Sequence, residues 1–153
     1  MSNNRYFAVL VMLCLSLAPE VASSGDDLTL KEIMQGLRDD FVRIGDGLLH
    51  DNFEQVAEGA LGIAEHPRIP PDQVKRVATE LGEEMPGFKL MDKHVHDLSL
   101  QVKAAADASD RDTALRSYLA MMKGCMACHV NYKERIAAIL SEPEGALSED
   151  SGN

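Results

Sequence analysis

The chain has 153 residues, enough for one domain with a hydrophobic core, since 45% of the residues are apolar. Its 15 basic and 25 acidic residues give a net charge of −10, and this negative field repels phosphate backbones. Nucleic acid is therefore excluded as a partner, and a charged partner is expected to be basic. Aromatic residues make up 5% and Trp is missing, so the apolar residues are mainly straight-chain or small ones, which favours helices over strands.

Residues 1–23 have the features of a cleaved signal peptide. A basic residue precedes an apolar run from Phe7 to Ala18, and small residues follow at the predicted cleavage point. The run is too short to span a bilayer as a helix, so an uncleaved membrane anchor is the weaker alternative. Cleavage would remove Cys14 and leave Cys125 and Cys128 in an exported protein. We therefore expect a periplasmic protein with no stable membrane insertion after cleavage.

Two amphipathic helices are predicted next, because apolar residues recur there at steps of three and four. Helix A covers about 28–49, with Asp26 or Asp27 as the expected N-cap. Helix B covers 53–66 and ends at Pro67, which cannot continue a helix.

Three further helices follow in the second half of the chain. Pro71 suits the first position of a short helix over 71–84, which the segment Met-Pro-Gly should break. Helix C then begins at Phe88, and helix D covers about 110–140. One face of helix D is predicted to hold an inward stripe, namely Ala114, Tyr118, Met122, Cys125, His129, Tyr132 and Ile136.

These elements predict an all-α fold, since no segment alternates with the period of a strand. Amphipathic helices joined by mostly short loops favour an antiparallel four-helix bundle with a short extra helix in the B–C connection. The predicted bundle occupies residues 24–140, and residues 141–153 form an acidic tail that we expect to be disordered.

The segment "KGCMACHVNYKER" contains the motif C-x-x-C-H, formed by Cys125, Cys128 and His129. This motif is the signature of covalent c-type haem attachment. Residues three and four apart share a face of a helix, so two thioether bonds and an iron ligand come from a single turn. The sequence therefore predicts one covalently attached haem c, with His129 as the proximal ligand.

Three other interpretations of the motif are weaker. A thiol redox pair belongs at a strand-to-helix junction, whereas both flanks here are predicted helices. A zinc site needs four ligands, and His94 and His96 are two residues apart, so they point away from each other on a helix. A disulfide between Cys125 and Cys128 would close a loop too small to restrict much of the unfolded chain.

The position of the motif near the end of the last predicted helix, and the residues "CMACHVNYK", resemble the cytochrome c′ superfamily. That family commonly has an aromatic residue three positions after the histidine and a basic residue next, as Tyr132 and Lys133 stand here. The resemblance implies a four-helix bundle around one haem. It also implies that a residue of helix A faces the other side of the iron.

The identity of that helix-A residue separates two functions within the family. High-spin members usually have an apolar residue there and bind gases such as nitric oxide, whereas a low-spin branch has Met and transfers electrons. The equivalent position here is Met34, in "EIMQGL", with Gly45 and Phe53 at the spacing that the low-spin branch often shows. Met34 also lies on an apolar stripe, where Met commonly only fills the core. Met91 is the best of the other Met candidates.

We therefore predict an electron carrier, not an enzyme, with His129 and Met34 as axial ligands. The alternative is a five-coordinate haem protein that binds or senses nitric oxide or another small gas. Arg38 and Lys133 are candidates to neutralise the haem propionates, and Tyr118 is expected to pack against the haem. The expected partners are redox proteins with a basic docking patch, and the resemblance leaves a homodimer open.

Overall fold

The computed structural model describes residues 28–141, and this range contains helices but no strand. The predicted signal peptide and all but the first residue of the predicted tail lie outside the described residues. The helices are α1 (Leu30–Leu49), α2 (Phe53–Ala64), α3 (Pro71–Leu81), α4 (Met85–Asp107), α5 (Arg111–Cys128) and α6 (Glu134–Ser141). Within the described range, no helix is both long enough and apolar enough to cross a membrane.

The first helix begins at Leu30, two residues later than the sequence suggested, because Thr29 caps it. The Thr29 hydroxyl accepts from the backbone N–H of Glu32, and the Glu32 carboxylate accepts from the backbone N–H of Thr29 at 2.9 Å. This reciprocal capping box satisfies two backbone donors that the helix leaves without internal partners. The prediction that Asp26 or Asp27 would be the cap is therefore wrong.

The break between α3 and α4 lies three residues earlier than predicted, because α3 ends at Leu81 and not at Glu84. Gly82 has a φ of +47°, a left-handed conformation that glycine adopts at little cost, and a 3₁₀ turn over Gly82–Glu84 leads directly into α4. The new helix starts at Met85 instead of Phe88. Pro86 does not interrupt it, because the first turn of a helix leaves its N–H groups unbonded in any case.

The last predicted helix is continuous but not uniformly α-helical. A π-helical turn over His129–Lys133 separates α5 from α6. Such turns are rare in proteins, and those that occur are frequently at functional sites. The turn begins at the histidine of the C-x-x-C-H motif. The sequence does not predict it, because hydrophobic periodicity does not distinguish one wide turn from an α-helical one.

Two apolar clusters form the interior. The first cluster joins α1, α2, α4 and α5, which pack in that order, through Ile44, Val56, Ala60, Ile63, Leu98, Val102, Ala106 and Met121. The second cluster joins the start of α1 to α3, the π-helical turn and α6 through Leu30, Val77, Leu81, Tyr132 and Ile136. The site described below lies beside this second cluster.

Two sequence-based placements need correction. Met121 is fully buried, whereas Met122, which was predicted to face inward, is 40% exposed. The prediction is right at Ala114, Tyr132 and Ile136, which are buried, and it is one residue out of step in the middle of α5, where Ser117 and Met121 are buried. On α3, the spacing of Val74, Val77 and Leu81 predicts that all three face inward, but Val74 is 39% exposed.

Candidate functional site

The cysteine motif lies at the junction of α5 and the π-helical turn. Cys125 and Cys128 are half-buried and are not joined by a disulfide. The backbone N–H of His129 donates to the carbonyls of Cys125 and Met126, so the helix passes through the motif without a break. This helical context on both sides is the one that the sequence predicted. His129 itself is exposed.

The environment of the two thiols favours their protonated form. Burial raises the pKa of Cys125 above its ordinary value. Burial also raises the pKa of Cys128, and the carboxylate of Asp92 and the neighbouring Cys125 act in the same direction. Reactive redox cysteines have the opposite property, because they are activated by a lowered pKa.

The π-helical turn places Tyr132 in the interior. Its ring meets that of Phe88 edge to face, with centroids 5.4 Å apart and an interplanar angle of 88°. The side-chain amide of Asn131 donates to the carbonyl of Ala127 at 2.7 Å and satisfies a backbone acceptor across the turn. Tyr132 is thus fixed between α4 and the motif, three residues after His129.

A cavity of about 740 Å³ opens beside this turn. Met34 of α1 contributes to its lining, and so do Cys128, His129 and Tyr132 from the last part of the described chain. The remaining lining residues are Thr29, Leu30, Lys31, Gln35, Arg38, Gln73, Phe88, Lys133, Ile136, Ala137, Leu140 and Ser141. The two residues predicted to ligate iron, which are far apart in the sequence, are therefore at the same cavity.

The charged side chains that line the cavity are all basic. Lys31, Arg38 and Lys133 all contribute to its lining, and none of the described residues that line it is Asp or Glu. Arg38 also forms an exposed ion pair with Asp39, at 3.2 Å between Nη2 and Oδ1. A ligand with carboxylate groups would thus meet complementary charge here, although the whole chain is acidic.

The other five methionines of the described residues, with Met91 the strongest of the alternative ligand candidates, lie elsewhere. Met85 and Met91 pack against the second cluster, Met121 is in the first, and Met122 and Met126 are exposed. The lining of the cavity includes Met34 but none of these five.

Cys125 and Tyr118 are oriented differently from the cavity-lining residues of the same helix. Cys125 packs against the first core cluster, one helical turn before Cys128. Tyr118 stacks on Phe41 of α1, with ring centroids 4.4 Å apart, and belongs to the same first cluster. Contact between Tyr118 and a group in the cavity, which the sequence suggested, is therefore not observed.

Several residues that position the site were missed by the sequence analysis. The side-chain Oε1 of Gln73 accepts from the backbone N–H of Leu30 at 2.9 Å and ties α3 to the start of α1. Arg135 binds Glu80 at 3.1 Å and Glu84 at 2.9 Å, which ties the helix after the motif to the end of α3. Glu84 is therefore an ion-pair partner, not merely a solvated charge. These polar contacts connect elements far apart in sequence, so no local pattern indicates them.

The residues at the cavity suit a haem. Its volume falls within the range of roughly 300–1,000 Å³ that is usual for ligand pockets. Apolar side chains, among them Leu30, Phe88 and Ile136, form much of the lining, and basic side chains are available for two carboxylates. Cys128 and His129 are at the wall, and Met34 offers a thioether from a different helix. Soft sulfur and imidazole ligands are those that haem iron takes in proteins.

Comparison with known proteins gave no match to a protein-family model, to a curated protein or to a solved structure. Among residues 28–141, no group of three or more His, Cys, Asp and Glu side chains is arranged to hold a metal ion.

Proposed function

We propose that the protein is an exported c-type cytochrome that carries single electrons through one covalently attached haem c. The observation that carries the proposal is the shared cavity of Met34, Cys128 and His129. In this proposal Cys125 and Cys128 form the two thioether links, His129 is the proximal ligand and Met34 the distal one. When bound, the haem supplies an iron that changes its oxidation state by one electron.

The protein residues have distinct roles in this proposal. Cys125 and Cys128 would hold the haem in place, and Tyr132, which lines the cavity, would pack against it. Arg38 and Lys133 are placed to neutralise the propionates, since both line the cavity. The Met34 thioether would bind the haem iron, and such a ligand raises the reduction potential and hinders the binding of small molecules. The role is that of a carrier, so no substrate is turned over.

The proposed architecture is an antiparallel four-helix bundle of the cytochrome c′ type, in its low-spin branch. Support comes from the packing order α1, α2, α4 and α5, and from the further contact between α1 and α5 that closes the set. The short helix α3 is the extra element in the connection between α2 and α4. The apolar run in residues 1–23 supports periplasmic export, and the net charge alone favours a redox partner with a basic patch.

Gas binding at a five-coordinate haem is the second candidate, because Met34 lines the cavity together with apolar residues, and a Met in such a position can pack against a haem without binding its iron. The two functions differ in the response of the reduced protein to carbon monoxide. Met34 ligation predicts slow or weak binding, whereas an open iron predicts rapid binding.

A thiol oxidoreductase is a weaker candidate on physical grounds. Its nucleophilic cysteine needs a lowered pKa, whereas burial raises the pKa of both Cys125 and Cys128.

The experiment that tests the proposal is expression with haem-attachment machinery, followed by denaturing electrophoresis and a haem stain. We expect a stained band that Cys125→Ala with Cys128→Ala abolishes. Unstained wild-type protein would refute the proposal.

A further inference from the structure

The side-chain amide of Gln73 is held at the wall of the cavity. Its Oε1 accepts from the backbone N–H of Leu30 at 2.9 Å, and both residues line the cavity. Gln73 is half-buried, so its side chain does not extend freely into solvent. A side-chain amide is planar and has one oxygen acceptor and one NH₂ donor group. The hydrogen bond to the oxygen therefore also restricts where the nitrogen Nε2 lies.

The helix α3, which contains Gln73, is anchored at further points. Arg76, three residues later, donates to the backbone carbonyl of Ile139 in α6. Near the other end of α3, Glu80 forms an ion pair with Arg135 of α6 at 3.1 Å. These contacts hold α3 against the helix that follows the cysteine motif. Gln73 is thus placed at the cavity by contacts on both sides of α3.

The Nε2 atom of Gln73 has no hydrogen-bond partner in the part of the chain that the structure describes. Its N–H groups are therefore available to a ligand in the cavity. The charged side chains of the same lining are Lys31, Arg38 and Lys133, all of them basic. A hydrogen-bond donor among cations suits an anionic acceptor such as a carboxylate.

A haem offers few acceptors to such a donor. Its pyrrole nitrogens bind the iron, so its hydrogen-bond acceptors are the two propionate carboxylates. With His129 and Met34 on the iron, as proposed above, no further iron ligand is present to accept a hydrogen bond. A propionate is thus the group of the haem that matches the Gln73 amide.

We propose that Gln73 is a haem-binding residue whose Nε2 donates a hydrogen bond to one haem propionate. The inference rests on the proposed function, because it names a further residue of the same site. It also gives the extra helix α3 a role in holding the cofactor. A hydrogen bond to an ionised carboxylate favours the charged form, so Gln73 lowers the pKa of that propionate.

The test measures the reduction potential of the haem-loaded full chain as a function of pH. An ionised propionate favours the more positive, oxidised iron, so the potential falls over the pH range in which the propionate loses its proton. Gln73→Met removes the amide at similar length and should move this fall to higher pH by about one unit, as expected for the loss of one hydrogen bond to a charged group. Gln73→Glu should move it at least as far, because it replaces the donor with a negative charge.

Matched variants separate this role from a structural one. Gln73→Glu keeps a side-chain oxygen for the backbone N–H of Leu30, whereas Gln73→Met removes it. A shift that both variants share therefore does not arise from loss of the bond to Leu30. Gln101→Glu makes the same charge change on an exposed residue of α4 outside the cavity, and it should leave the fall in potential at the wild-type pH.

Several results would overturn the inference. One is a fall in potential at the wild-type pH in both Gln73 variants. A shift in Gln73→Met alone would assign the effect to the lost bond with Leu30, and an equal shift in Gln101→Glu would assign it to net charge. A changed carbon monoxide stretching frequency in both Gln73 variants, with an unchanged pH dependence of the potential, would assign the amide to a ligand on the iron. Protein without covalent haem would instead refute the proposed function, which the haem stain shows before any potential is measured.

Discussion

The close approach of α1 and α2 depends on glycine. A Cβ atom added to Gly59 would lie 2.8 Å from the backbone oxygen of Asp40 and 2.9 Å from Cγ1 of Ile44. The first of these atoms is backbone, so it cannot rotate away, and the helices would have to separate. Gly36 of α1 is a suitable control, because it is also a helical glycine but nothing lies within 4 Å of a Cβ added there.

The two alanine substitutions are therefore expected to have opposite effects. Gly36→Ala should stabilise the fold by about 0.5–1 kcal/mol, because Ala loses less backbone entropy than Gly in a helix. Gly59→Ala gains the same propensity but adds overpacking, which costs about 1–3 kcal/mol. We expect a net loss of about 1–2 kcal/mol at Gly59.

Thermal unfolding measures both effects. It can be followed by circular dichroism at a wavelength of about 222 nm, where α-helices give a strong signal. A change of 1 kcal/mol corresponds to a shift in Tm of about 4 °C for a domain of about this size. Gly59→Ala should lower the Tm and Gly36→Ala should raise it. An equal rise in both variants would show that α1 and α2 are not in close contact at Gly59.

Two further predictions concern the haem and one carboxylate. Cys125→Ala with Cys128→Ala should lower the Tm of protein made with haem-attachment machinery, because the fold loses a ligand that fills its cavity; an unchanged Tm would contradict the assignment. Burial raises the pKa of Asp40; the charge of Arg43 opposes this rise, and the neighbouring charge of Asp39 adds to it. A raised carboxyl pKa means that folding favours the protonated form, so stability falls as pH rises through the pKa of the folded state. Asp40→Asn should therefore unfold at a higher Tm than the parent at pH 7 but not at pH 3, with Asp39→Asn as the exposed control; an identical gain at both pH values would exclude this linkage.

Much of the helix content could be predicted because it depends on local signals. Steps of three and four between apolar residues located α1, α2 and α5, and Pro71 marked the first residue of α3. The helix α4 starts three residues before the predicted position, because Pro is tolerated in the first turn of a helix and so "MPG" does not break it.

The site could be predicted only in part. The motif at Cys125, Cys128 and His129 is predictable because it is a local pattern. The prediction of Met34 depends on the family resemblance. In the structure Met34 and His129 line one cavity. On α5 the sequence predicts that Met122 faces inward, but Met122 is exposed and its neighbour Met121 is buried. The π-helical turn and the ion pairs of Arg135 depend on contacts between distant segments, which sequence periodicity does not encode.

The central claim is that His129 and Met34 ligate one haem iron, and the visible absorption spectrum tests it most directly. We would record the oxidised and reduced protein alongside Met34→Ala, with Met91→Ala as the control from a neighbouring helix. Sharp low-spin bands in the reduced wild type and in Met91→Ala, replaced by broad high-spin bands in Met34→Ala, are the predicted result. Low-spin bands that persist in Met34→Ala, or broad high-spin bands in the wild type, would contradict it.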